Sequence, residues 1–347
     1  MTTIAVTVSA APPPTPSNAP PLGYVCPRAS APLQIDGRLD EAAWSTAPWT
    51  SDFVDIEGDA RPRPPLRTRA KMLWDDDYFY VAAEMVEPHL WGTLTKHDAV
   101  IFHDHDFEVF IDPNGDNHEY YEFEINALGT FWDLLLPRPY KDGGTALDHW
   151  EIPGLRSAVH LEGTLNDPSD TDRGWSVELA FPWEVLGELA RRPAPPGEGD
   201  QWRVDFSRVE WKMRIVDGRY EKVPDGKEDN WVWSPQGVVN MHRPETWGYV
   251  QFSSRPPGSE AFRPDVTLPA RRWLHAVYYA QQAYRREHKR WAQTLAELGV
   301  AAPAEAVLSR PTLQVTADLF QAAVDLRRPD GAPQRWNIRQ DALIWPD

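Results

Sequence analysis

The 347-residue chain contains a single cysteine, Cys26, so no internal disulfide can hold it and its stability has to come from packing. It has no apolar run long enough to span a bilayer. Positive charge is scarce: 35 Lys and Arg stand against 52 Asp and Glu, and a net charge of −17 argues against a nucleic-acid partner. The opening MTTIAVTVSAAPPP lacks a basic n-region and makes a poor signal peptide, so a cytoplasmic location is expected unless export uses a signal not recognisable here. No P-loop, dinucleotide fingerprint or nucleophile elbow occurs. Helical periodicity is largely missing up to Pro88, and a short helix is expected from Pro182.

What is present is strand-like. The stretch Phe102 to Asp133 organises the rest. In DFEVFID, Phe107, Val109 and Ile111 alternate with Asp106, Glu108, Phe110 and Asp112. The turn cluster PNGDN at 113–117 leads to YYEFEIN, where Tyr121, Phe123 and Ile125 oppose Glu122, Glu124 and Asn126. A further turn leads into FWDLLL. This is an antiparallel meander with one apolar face and one face rich in carboxylates and aromatics. Carboxylates on neighbouring strands repel unless a cation, a metal or a hydrogen-bonded ligand stands between them. That face therefore reads either as a solvated surface laced with salt bridges or as a polar ligand site.

Short runs with turn signals continue on both sides, including FYVAAEMV closed by Pro88, GWSVELAF at 174–181 and WRVDFSRVEWK at 202–212. Many short strands at regular spacing predict a mainly β fold, an antiparallel β-sandwich of the immunoglobulin-like or jelly-roll type, over 23–253. Residues 1–22 are Pro-rich and expected to be disordered, and 254–347 are expected to form a linker and a C-terminal α-helical appendage. Within the appendage, Leu274 to Leu298 reads as strongly helical, with no Gly or Pro inside, and Trp273, Val277, Ala280 and Tyr284 mark one stripe. The stripe is expected to dock on the sandwich. Weaker helices are expected near 303–308 and 316–325.

Taken in order, IDGRLDEAAW at 35–44, MLWDDDYFYVAAEMVEP at 72–88, DFEVFIDPNGD at 106–116, YYEFEIN at 120–126, GWSVELAFPW at 174–183, WRVDFSRVEW at 202–211, then WVWS and WGYVQF, resemble the family 9 carbohydrate-binding module and its DOMON-related sandwich relatives. The resemblance covers about residues 30 to 253. It implies a two-sheet sandwich that binds a sugar between two aromatic rings, with polar side chains on its hydroxyls and calcium in its loops. Residue by residue, it implies that Trp233 is one clamping ring and Glu108 a binding carboxylate. The second ring falls nearest Phe102, with Trp132 or Trp150 as substitutes. Glu124 and Ser207 stand where a typical module has other polar types.

The expected function is thus a stand-alone, lectin-like carbohydrate-binding protein of polysaccharide utilisation. Its ligand residues would be Phe102, Glu108, Glu124, Asn126, Trp132, Arg208, Glu210, Asn230, Trp231 and Trp233. Arg208 is the expected cation for Glu108 or Glu124. An alternative is a glycan-active enzyme with Glu108, Glu124 and Arg208 in acid–base roles, and a third is a protein-interaction module. For calcium, Asp112, Asn114 and Asp116 have alternating oxygen ligands, although the turn is short and a plain Asx-rich turn is the favoured reading. His103 and His105 form a His-x-His that needs a third ligand to hold zinc. Met72, Met85, Met213 and Met241 supply no convincing axial pair for haem.

Overall fold

The computed structural model describes residues 20–301, 311–328 and 330–347. The Pro-rich segment up to residue 19 and the helix expected at 303–308 lie outside the described residues. The chain divides into two compact units that meet in sequence between Pro264 and Asp265.

The first unit is an antiparallel β-sandwich. In chain order it runs β1 (Gly23–Pro27), α1 (Ala42–Thr46), β2 (Val54–Asp55), β3 (Thr68–Trp74), β4 (Tyr78–Val86), β5 (Asp106–Asp112), β6 (Tyr120–Asn126), β7 (Phe131–Leu136), β8 (Arg156–Glu162), β9 (Gly174–Pro182) and α2 (Trp183–Leu186). It continues with β10 (Gln201–Glu210), β11 (Met213–Val216), β12 (Arg219–Lys222), β13 (Asp229–Val232) and β14 (Gly248–Ser253). The larger sheet has the order β1-β14-β10-β5-β6-β7, and β13 pairs with the second half of β10 and with β2. The smaller sheet is β3-β4-β9-β8, and β11 and β12 form a separate hairpin. Every pairing is antiparallel except β1 with β14.

The period-two pattern dictates the layers. Phe107, Val109 and Ile111 of β5, Tyr121, Phe123 and Ile125 of β6, and Val204 and Phe206 of β10 pack against Met72, Val81, Ala83, Val177, Leu179 and Phe181 of the smaller sheet. The charged residues between them fall on the outer face of the larger sheet. Register then sorts that face into rows. Ser207 pairs with Glu108, Glu108 with Glu124 and Glu124 with Trp132, so one row crosses four strands. The next row is Asp205, Phe110, Glu122 and Leu134.

The second unit joins α3 (Leu268–His288) and α4 (Leu295–Leu298) to a four-stranded antiparallel sheet, β15 (Thr312–Val315), β16 (Phe320–Arg327), β17 (Pro333–Arg339) and β18 (Ile344–Pro346). The helix expected at 316–325 is a correction: those residues enter strand β16. Phe320, Ala322, Val324 and Leu326 alternate inward, and this period-two burial outweighs the helix propensity of the two alanines. The long helix is shorter than its sequence indicates. Lys289 turns out of it at φ 58°, and the Gln281 side-chain amide bonds both the N–H and the C=O of Ala292, pinning the chain as Trp291 folds back into the core. The buried stripe is Ala270, Trp273, Leu274, Val277, Tyr278 and Gln281, with Ala280 and Tyr284 at its margin. Its cover is the sheet β15–β18 of its own unit, a surface not legible as strands beforehand, rather than the sandwich the sequence pointed to.

Candidate functional site

The outer face of the larger sheet carries a cleft of about 300 Å³. Its floor holds Glu108 of β5 and Glu122 and Glu124 of β6; Phe102, Phe110, Trp132 and Tyr140 supply aromatic wall. Asn230 of β13 and Asn240 and His242 of the loop before β14 close the far side. Beneath that loop, Ile56, Leu134, Leu136, Val232 and Trp247 form a separate apolar cluster that anchors it to the sheet.

The floor is electrostatically costly. Glu108, Glu122 and Glu124 are buried, as is the neighbouring Asp106, and among the described residues none of the four has a salt bridge. One oxygen each of Asp106, Glu108 and Glu124 lies within 4.8 Å of the others, close enough to share a cation or a ligand hydroxyl. Burial pushes the Glu108 carboxyl up to about 7. Burial, then the charge of Glu108, drives Glu122 and Glu124 well above the carboxylate range, and Asp106 rises for the same reasons. Some of this is relieved: the Phe102 N–H donates to Glu124 Oε2 (2.9 Å) and the Val209 N–H to Asp106 Oδ1 (3.2 Å). Among the described residues, Asp106 Oδ2, Glu122 Oε2 and the Trp132 indole N–H remain buried without a hydrogen-bond partner. Such groups usually mark a place where a ligand or water completes the bonding. Opposite the carboxylates, His242 is lowered to about 4 by burial, and its Nδ1 lies 2.9 Å from the Tyr120 hydroxyl.

The structure thus brings together five expected residues, Phe102, Glu108, Glu124, Trp132 and Asn230. It places five others elsewhere. Trp233 is not a solvent-facing clamp: it is 2% exposed, edge-on to Tyr24 and tilted against Phe206 in the core. Gly248 lies flat against its ring, where a Cβ would stand 2.4 Å from it. Trp231 shares that inward parity and is also core. Arg208 does not meet Glu108 or Glu124. It pairs with Phe107 in the ladder and so points between the sheets. There its guanidinium bonds Glu87 (2.6 Å), Glu210 (2.9 Å), the Thr68 hydroxyl (3.1 Å) and the Val86 carbonyl (2.9 Å). Glu210 is therefore an internal counter-ion, and burial pushes its companion Glu87 up to about 7. Asn126 is a fully buried turn brace. Its amide donates to Leu94 O and Asp104, and its carbonyl accepts from the N–H groups of Leu128 and Thr130. Trp150 stacks on the inward Tyr121, away from the cleft.

Tyr140, Asn240 and His242 were not anticipated. They arrive on loops, and only the long return from β13 to β14 brings NMH over the sheet. Glu122 was visible as part of the acidic face.

Of the expected metal positions, Asp112 accepts the N–H groups of Gly115 and Asn117, Asn114 accepts that of Asp116, and Asp116 accepts that of His118 and pairs with Arg191. These are the bonds of an Asx-rich turn. His103 and His105 do not present one face: His103 is exposed, whereas His105 is buried with Nε2 on the Trp211 carbonyl (3.0 Å) and burial lowers it to about 4.

Residues 35–197 match the model of the carbohydrate family 9 binding domain-like family. Two curated relatives align over 152 residues, 44% of this chain: exoglucanase XynX of Acetivibrio thermocellus at 31% identity and endo-1,4-beta-xylanase A of Thermoanaerobacterium saccharolyticum at 30%. The chain spans only 12% and 11% of the length of those proteins. A solved family 9 carbohydrate binding module from Caldicellulosiruptor kristjanssonii, in complex with cellotriose, superimposes with a TM-score of 0.44 at 16% identity, over 70% of this chain and all of that one. The matched segment carries β2 to β9 and the whole carboxylate floor, while β10, β13 and the NMH loop lie beyond it. Over residues 35–197, a little under half of its length, the chain is similar to the carbohydrate family 9 binding domain-like family.

Proposed function

We propose that the cleft on the larger sheet binds a neutral saccharide. One observation carries this reading: three buried carboxylates without salt bridges form the floor of a cleft walled by Phe102, Phe110, Trp132 and Tyr140. A sugar offers hydroxyl donors that suit carboxylate acceptors and an apolar C–H face that suits aromatic rings. Acidic saccharides are disfavoured by the same carboxylates. With Trp233 in the core, aromatic contact falls to Trp132, Tyr140 and Phe102 rather than to a two-tryptophan clamp. The relatives' names make β-1,4-linked glucan and xylan oligosaccharides the first ligands to try.

A second reading rests on Glu108, whose carboxyl is held near 7 beside Glu124 as a general acid would be. Calorimetric titration of the full chain with neutral and uronic-acid oligosaccharides, with product analysis on the same samples, tests both. The expected result is saturable binding of a neutral sugar without product, weakened at least tenfold in Trp132→Ala and in Glu122→Gln. Product release would move the assignment to an enzyme. Binding of no saccharide, or binding untouched by both substitutions, would overturn the site.

A further inference from the structure

A second cluster lies at the edge of the same sheet, apart from the carboxylate floor. The His97 imidazole packs edge-on against Phe131 (centroids 4.7 Å apart), with Nδ1 3.2 Å from the Phe131 carbonyl. That bond makes Nδ1 a donor, so in the neutral ring the Nε2 lone pair faces the other side, where an Nε2 proton otherwise reaches Glu151. Three carboxylates gather around Nε2: Glu151 Oε2 at 3.1 Å, Asp98 Oδ1 at 3.4 Å and Asp133 Oδ1 at 3.9 Å. Asp133 projects from the inner face of edge strand β7 and is 1% exposed. Its Oδ2 accepts the Ile152 N–H at 2.6 Å, while its Oδ1, aimed at His97, has no hydrogen-bond partner among the described residues. Asp98 Oδ1 is likewise buried and unpartnered.

An imidazolium alone does not account for this. One Nε2 proton serves Glu151 and leaves two buried carboxylate oxygens bare, with one positive charge among three negative ones. We propose that His97, Asp98, Asp133 and Glu151 form a binding site for a divalent transition metal of the zinc class. Ligand atoms around a tetrahedral zinc stand about 3.3–3.6 Å apart, given bonds of roughly 2.0–2.2 Å, and the 3.1–3.9 Å spacings around Nε2 bracket that value. The imidazole nitrogen and the small ligand set fit zinc better than calcium, which takes about six to eight oxygens. The Nδ1 bond to Phe131 and the Ile152 bond to Asp133 supply the orienting contacts that metal ligands ordinarily receive. His97 and Glu151 are largely exposed, so an ion can enter from solvent.

The test uses the full chain stripped with EDTA and titrated with zinc chloride by calorimetry, with calcium chloride in parallel. Cobalt(II) substitution then reads the geometry from its visible absorption. The expected result is one equivalent of zinc bound in preference to calcium, a tetrahedral cobalt spectrum, and a rise in melting temperature. Affinity should fall about tenfold in Glu151→Gln and about a hundredfold in His97→Ala, with His103→Ala unchanged. Glu151 is exposed, so Glu151→Gln keeps the test open if His97→Ala fails to fold. Absence of saturable zinc uptake, preference for calcium, or uptake equal to the parent in both Glu151→Gln and His97→Ala would overturn the site.

Discussion

Replacing Glu108 by Gln isolates the cost of the acidic floor. Glu108 is 5% exposed, lies directly between Ser207 and Glu124 in the ladder, and has no counter-ion among the described residues. Its carboxyl is raised from 4.5 to about 7 by burial. The sign follows from proton counts. Between those two values the folded protein holds a proton that the unfolded chain has released, so stability falls as pH rises through the interval and the full cost is present above about 7. At about 1.4 kcal/mol for each pH unit, the cost is roughly 3 kcal/mol. Gln has the same shape and no charge, so Glu108→Gln should gain on the parent by roughly that much between pH 5 and pH 8. Urea unfolding of both proteins at the two pH values measures it, and the difference between differences cancels every group the two share. A constant gap, or a variant that loses ground at pH 8, would show that Glu108 is solvated or paired and would refute the reasoning. The same variant should bind sugar more weakly, so this position trades stability for recognition.

Arg208→Ala should destabilise the sandwich by about 3–5 kcal/mol in urea unfolding, because it leaves Glu87 and Glu210 as uncompensated buried charge; lost binding with unchanged stability would return Arg208 to the ligand site. Trp233→Ala should cost about 3–5 kcal/mol through a core cavity, read as a lower melting temperature, whereas a clamping ring could be removed at little thermal cost. Trp273→Ala should lower the stability of the C-terminal unit by about 3 kcal/mol or more, since that ring packs in the helix–sheet core; amide exchange in β16 and β17 should quicken while exchange in β5 and β6 stays slow.

Much of the fold was legible in the chain. The alternation in DFEVFID, YYEFEIN and GWSVELAF predicted strands, and those strands form with their apolar sets inward. Arg208 shows where parity was under-used. In WRVDFSRVEW it shares its parity with Trp202, Val204 and Phe206, so the apolar residues before it already marked that side as the inner one. The same holds for Trp231 and Trp233, which share a parity with each other and bury together. The difference at 316–325 has another cause: FQAAVDLR alternates over only four inward positions, one of them Ala322, and with Ala323 beside it the pair fits either period.

By itself, the sequence determined which faces are apolar, that the larger unit is a mainly β sandwich, and that carboxylates crowd one sheet face, because these follow from local periodicity and turn chemistry. Only the tertiary structure decided which carboxylates are neighbours, since ladder register sets Glu108 beside Glu124 and Arg208 on the opposite side. It alone brought Tyr140, Asn240 and His242 to the cleft and Asp133 and Glu151 to His97, because loop paths depend on what they pack against. Burial, and with it every raised carboxyl, is a property of the assembled layers: a glutamate on a strand is ordinary until neighbouring strands and loops remove its water.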